Sequence, residues 1–249
     1  MPLERGRRAL VAFAVGFCCT AAGLTQHDPH PTPPAKTPVE QKRGAPTAPT
    51  HAPLSVLHPS LAFRHVQAAN TAVADALAAG KPLPKPEPRP SGAGKYVCAV
   101  LVCADSDVEV APLLGLQRDD VLVIAVPGPL ANAETAALLE RAVADERLAL
   151  VLVLGHPQCK AAAPRPNGAD DALTRRFAAL RQHAERQQLP LPKALATLQT
   201  ELLLATSDAL RTATQGDTLR VLPAELDAKS GRITWHHQRA DVMPLAPVK

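Results

Sequence analysis

Leu148–Leu154 is an unbroken run of seven apolar residues that closes on Gly155-His156-Pro157-Gln158-Cys159. A run rich in Val and Leu, bounded by Gly and Pro, predicts a strand buried on both faces of a parallel sheet. Sheets of that kind gather their functional residues just beyond the carboxyl ends of the strands. A His and a Cys three residues apart at such an end can share one zinc ion, but the pair needs further donors.

The chain supplies them upstream. Tyr96–Cys103 (YVCAVLVC) repeats the buried-strand pattern and runs into Ala104-Asp105-Ser106-Asp107, so Cys103 and Asp105 also sit at a strand's end. Between the two runs come a predicted strand over Val121–Val126, a turn at Pro127-Gly128-Pro129 and a helix over Ala131–Leu148. This order predicts an α/β fold, a central mostly parallel sheet flanked by helices. Right-handed crossovers would bring the strand ends to one edge. The thiolates of Cys103 and Cys159, the imidazole of His156 and the carboxylate of Asp105 would then form a ligand set suited to tetrahedral zinc.

A Cys103–Cys159 disulfide is the alternative, and it would leave His156 and Asp105 without a role. Apart from Cys18 and Cys19, the only cysteines are Cys98, Cys103 and Cys159, an odd number and a poor disulfide framework. Cys98 and Cys103 would lie about 16 Å apart on one strand, too far to bridge. Cys98 is therefore expected in the core.

The amino-terminal third has a different character. Arg5, Arg7 and Arg8 precede the apolar Ala9–Cys19 and the small residues Thr20-Ala21-Ala22. That pattern predicts an export signal over residues 1–22 and a periplasmic or secreted location. The other reading is an uncleaved N-terminal anchor, although Ala9–Leu24 is short for a membrane span. The chain has 26 prolines, about twice ordinary usage, most of them in the first 90 residues. Residues 23–60 read as a proline-rich disordered linker, in which His27, His30 and His51 are linker residues rather than ligands.

Leu61–Gly80 predicts a helix ended by Gly80. Proline then recurs at every second position over Lys81–Pro90. This implies a polyproline spacer of about 3 Å per residue, or else an arm lying across the domain or a partner subunit. The globular domain is thus expected over residues 61–242, with the helix and arm over 61–90, the core over 91–242 and a loose tail over 243–249.

The remaining elements read as scaffold. Asp171–Gln188 and Lys193–Thr214 are expected as two amphipathic helices, the first carrying Arg175, Arg176, Arg181 and Arg186 on a solvated face. Leu219–Leu222 and Arg232–Trp235 are expected as a terminal strand pair, followed by His236 and His237 pointing to opposite sides. With 46% hydrophobic residues the core is well supplied, but only 2% are aromatic and the net charge is a mild +4. Such a chain lacks the stacking surface for nucleic acid.

Cys103-Ala104-Asp105-Ser106, followed by Gly155-His156-Pro157-Gln158-Cys159, resembles the paired zinc signature of the β-class carbonic anhydrases, C-x-D-S-R and G-H-x-x-C-G. Asp227–Trp235 (DAKSGRITW) is similar to the closing Y-D-x-x-T-G-x-V hairpin of that family, so the likeness spans roughly Leu61 to His237. The resemblance implies zinc as cofactor, with Cys103, His156 and Cys159 as ligands. Asp105 is, by the same likeness, either the fourth ligand or the catalytic group that orients zinc-bound water. Carbon dioxide and bicarbonate are the implied substrates. A homodimer formed through the N-terminal arm and sheet edge is implied as well.

The departures bear on activity. The family's arginine partner of the aspartate is Asp107 here, and its R-N-A-G-N stretch corresponds to Ala125-Val126-Pro127-Gly128-Pro129. Pro157 and Lys160 replace the serine after the histidine and the glycine after the second cysteine. Hydration of carbon dioxide needs a water whose pKa falls near neutrality and an open position to hold it. Two thiolates neutralise the ion, Asp105 makes the site negative, and Asp107 adds a further charge against bicarbonate. The expectation is a zinc site with weak or lost hydration activity. The alternative is a catalytically silent zinc-binding or metal-free interaction protein on the same fold.

Overall fold

The computed structural model describes residues 56–106, 108–165 and 171–236. The expected export signal, most of the expected linker, Asp107, His237 and the expected tail lie outside them. The first helix, α1 (Pro59–Ala78), opens with Pro59 at its first turn and is capped by the His58 side chain, which accepts from the Ser60 amide. A proline there lacks only an N–H that would have had no helical partner. The helix ends before Gly80, whose φ of +61° is left-handed.

Four strands follow in parallel: β1 (Cys98–Cys103), β2 (Val121–Val126), β3 (Leu150–Gly155) and β4 (Arg220–Leu226). A fifth, β5 (Ile233–Trp235), pairs antiparallel with β4, and the sheet order is β2-β1-β3-β4-β5. The expected parallel sheet is present. Cys103 pairs with Val126, Val102 with Leu154, and Gly155 with Glu225, which sets the carboxyl ends of β1, β2 and β3 side by side.

Alternation along the buried strands builds two cores. Val100, Val102, Leu150, Leu152 and Leu154 meet Phe63 and Val66 of α1, together with Val110 and Ala111 of the short helix α2 (Val110–Leu113). Ala99, Leu101, Val151 and Val153 face the other side. They meet Leu139 of α3 (Ala133–Glu146), Leu203 of α5 (Leu191–Thr206) and Leu210 of α6 (Asp208–Gln215). The remaining helix, α4 (Ala172–Arg186), packs on α5 and closes a third apolar cluster through Phe177. Since aromatics are few, the pair formed by Phe63 and Trp235 (5.3 Å, edge to face) is a main fastening of α1 to the sheet edge.

Three local expectations need correction. The helix expected over Lys193–Thr214 is two helices, because Ser207 leaves helical geometry (φ −121°, ψ 112°) and its hydroxyl caps α6 by accepting from the Leu210 amide. The strand expected to stop at Leu222 runs through Pro223 to Leu226; β5 begins its pairing only at Ala224, and Pro223 contributes its carbonyl to the His236 amide. The arginines of α4 are not all solvated. Arg176 reaches the Ala131 carbonyl (2.7 Å) and Gln199, and Arg181 reaches the Ala162 carbonyl (2.6 Å).

Of the two readings of the proline repeat, the arm holds. The Glu87 amide donates to the Gly115 carbonyl (2.9 Å), and Arg89 ties the segment to buried Asp120 and to the Gly94 carbonyl. The alternating prolines keep the segment extended while these few bonds fasten it to the domain.

Candidate metal centre

The sheet delivers each candidate ligand to the same edge. Cys103 is the last residue of β1, and the chain then turns sharply, the Ala104 amide bonding the Val126 carbonyl (3.0 Å) and the Ser106 amide the Cys103 carbonyl (3.1 Å). That turn brings Asp105 back over the strand end. His156 follows β3 directly, after Gly155. A Cβ on Gly155 would stand 2.1 Å from the Pro192 carbonyl, so only glycine lets α5 begin against the strand. Gln158 holds a left-handed φ of 60°, which is costly for a residue with a Cβ, and it turns Cys159 toward His156.

The ligand atoms of Cys103, Asp105, His156 and Cys159 all lie within 4.8 Å of one another, so the four predicted residues do meet. The two sulfurs are 3.6 Å apart. Asp105 Oδ1 lies 2.6 Å from Cys103 Sγ and 2.9 Å from His156 Nε2. Its second oxygen, Oδ2, accepts the Ala161 amide at 2.9 Å. Cys98, by contrast, points into the core, and burial with the nearby Asp120 charge pushes its thiol up to about 12.

His156 tests whether these residues suit a metal. Its Nδ1 stands 3.0 Å from the Pro157 carbonyl, which can only accept, so Nδ1 carries the proton and donates it. Nε2 is then a bare lone pair, buried and without a hydrogen-bond partner. Asp105 Oδ1 is within ion-pair distance of it, but two acceptors facing each other are satisfied only by a cation or a proton between them.

The metal-free electrostatics agree. The neighbouring Cys103 sulfur raises the His156 pKa against the effect of burial. The bond between the sulfurs, with burial, holds Cys103 well above the usual thiol range, while the same bond lowers Cys159. Burial alone would raise Asp105, but bonds from Cys103 and the Ala161 amide outweigh it and lower the carboxyl.

Two sulfurs, one imidazole nitrogen and one carboxylate oxygen fit tetrahedral zinc. Three of the four are also held from behind: Cys103 Sγ by the Gly128 amide (3.0 Å), His156 by Pro157 and Asp105 by Ala161. Such outer contacts fix the orientation of metal ligands. The sequence reading missed the backbone donors, since an amide carries no residue signature. Gly128 alone had a local signal. Its φ of +66° and the Phe177 ring, which would stand 2.1 Å from a Cβ there, both demand glycine in the Pro127-Gly128-Pro129 turn.

Beside Cys103 lies an open cavity of about 310 Å³, walled mainly by Val102, Ala104, Val108, Val123 and Ala125, with Ser106 and Glu109 as its polar members. Among the described residues that line it, none is cationic. Lys160 is exposed. Among the described residues no helix is long and apolar enough to cross a membrane.

The model of the carbonic anhydrase family matches residues 98–233, more than half of the chain and the whole of the sheet through Ile233. Among solved structures, the wild-type β-carbonic anhydrase CafD of Aspergillus fumigatus is similar at 18% identity and TM-score 0.50, over 58% of this chain and 90% of that one. A single-residue variant of CafD gives 19% identity and TM-score 0.50 over the same shares. The β-carbonic anhydrase CafA of that fungus gives 25% identity and TM-score 0.47, over 57% of this chain and 76% of that one. The CafD likeness shows a shared fold. No curated protein matches the sequence.

Proposed function

Since the chain belongs to the β-carbonic anhydrase family, we propose that Cys103, Asp105, His156 and Cys159 hold one zinc ion as four protein ligands, with hydration of carbon dioxide weak or lost. The observation that carries this reading is the posture of Asp105. Its Oδ1 faces Cys103 Sγ and His156 Nε2, while its Oδ2 is fixed outward by the Ala161 amide. A carboxylate held so presents one oxygen inward, and among the described residues no cationic side chain is seen to draw that oxygen away.

Zinc, when bound, supplies a Lewis acid that lowers the pKa of a coordinated water toward neutrality, provided a position is free. The residues here oppose that use. Two thiolates and a carboxylate outweigh the charge of a divalent ion. Asp107, where the family has arginine, adds a further negative charge in the sequence. The neighbouring cavity offers apolar walls and Glu109 but, among the described residues, no cation to hold bicarbonate. Structural zinc sites have all four positions filled by protein ligands, whereas catalytic ones keep a position open.

Stopped-flow hydration on the zinc-loaded protein tests the reading. We expect a rate near the uncatalysed background, rising in an Asp107→Arg variant, which restores a partner for Asp105. Hydration by the unaltered chain at the level of an efficient enzyme, near the diffusional range of kcat/KM, would contradict it. The 3.6 Å separation of the sulfurs favours one second reading, a metal-free protein with Cys103 and Cys159 oxidised together.

We also propose that the chain is exported, on the strength of Arg5, Arg7 and Arg8 ahead of Ala9–Cys19. Amino-terminal sequencing of the mature protein after cell fractionation checks that. A homodimer is proposed as well. The supporting feature is edge strand β2, with Val123 45% exposed on its open face.

A further inference from the structure

We propose that Arg181, on α4, is the positioning residue that sets Asp105 in the metal centre, acting through the backbone of the loop that follows Cys159. The inference rests on the zinc reading for its consequence, but the tether itself is carried by this chain's own bonds.

Three bonds make the tether. Arg181 Nη1 donates to the Ala162 carbonyl at 2.6 Å. The adjoining residue, Ala161, donates its amide to Asp105 Oδ2 at 2.9 Å, and the Lys160 amide adds to the same effect. Asp105 Oδ1 then faces Cys103 and His156. The loop is wound tightly between these points, the Ala162 amide bonding the Cys159 carbonyl (3.2 Å) and the Ala163 amide the Lys160 carbonyl (3.1 Å). Movement of the Ala162 carbonyl is therefore carried through the intervening 161–162 peptide to the Ala161 amide that holds the carboxylate.

The loop needs such an anchor. Ala162 is fully buried, so its carbonyl must find a donor within the protein, and Arg181 supplies a charged one. The same segment begins at Gln158, held in left-handed geometry, so the path from His156 to Ala162 is bent against its local preference. Phe177, one helical turn before Arg181 on α4, packs against Cys103 and Cys159, which fixes the height of α4 over the site. A side chain on a rigid helix thus governs a ligand it does not touch.

Amide hydrogen exchange on the metal-free protein reads the tether directly. In Arg181→Met we expect the Ala161 amide to lose protection on the order of tenfold or more, the effect of losing a charged hydrogen bond. Arg181→Lys should restore much of it. Arg186→Met, on the exposed end of the same helix, should leave it unchanged. Unchanged Ala161 protection in Arg181→Met would overturn the proposal. So would equal losses in the Arg186 variant, since a general loosening of α4 would then explain both.

The cobalt-substituted protein reads the consequence for the site. Arg181→Met should keep the thiolate-to-cobalt band while the visible d–d bands shift, as water takes the place of the carboxylate oxygen. Identical visible spectra in Arg181→Met and the unaltered chain would overturn Arg181 as the setter of Asp105. Failure of the unaltered chain to take up cobalt would instead overturn the zinc reading, and the exchange result would decide the tether separately.

Discussion

At the scale of single residues, His156 couples the site to pH. In the metal-free protein its pKa lies above the ordinary 6.5, chiefly through the neighbouring Cys103. The protonated ring is thus favoured in the folded state. The stability it contributes is complete below about pH 6.5 and is lost as pH climbs through the raised value. Zinc has the opposite demand, because it needs the bare Nε2. Thermal unfolding between pH 5 and 8 should show the metal-free midpoint falling while the increment added by zinc grows. An increment that shrinks with rising pH would place the metal elsewhere. The ligands themselves were legible in the sequence, because each apolar run stops at the residue that faces the site. The amide of Ala161, which holds one of those candidates, was not legible, since any residue but proline offers the same donor.

At the scale of elements, the meeting of β3 and α5 sets the position of His156. Gly155 exists there because the Pro192 carbonyl occupies the space of a side chain. Gly155→Ala should force the start of α5 away from β3, destabilise the protein by about 1–3 kcal/mol, as overpacking does, and weaken zinc binding through displacement of His156. Denaturant unfolding and chelator competition measure the two effects; an alanine variant with unchanged stability would show that α5 yields easily. Periodicity predicted the helical character of residues 191–215 but not their division at Ser207. Apolar positions continue across the break. What decides it is a cap, whose hydroxyl serves the Leu210 amide. The inward reach of Arg176 and Arg181 was hidden for a related reason. An arginine on an amphipathic helix reads as solvated until the carbonyl it must satisfy is known.

At the scale of the whole molecule, a parallel sheet brings residues more than fifty positions apart in sequence to one edge, and the fold of the carbonic anhydrases is kept around four inward-facing donors. An apolar cavity with Glu109 stands beside Cys103, and backbone amides hold Asp105. The architecture was legible because two long Val- and Leu-rich runs leave few other solutions. The fastening of the proline arm by Arg89 and Asp120 was not, because it depends on a pair of residues far apart in the chain.

Native mass spectrometry of the protein purified without a histidine tag tests the central claim most directly. One zinc per chain is the predicted mass, lost in a Cys103→Ser and His156→Ala double variant. A chain without metal, lighter by the two hydrogens of a Cys103–Cys159 disulfide, would contradict it.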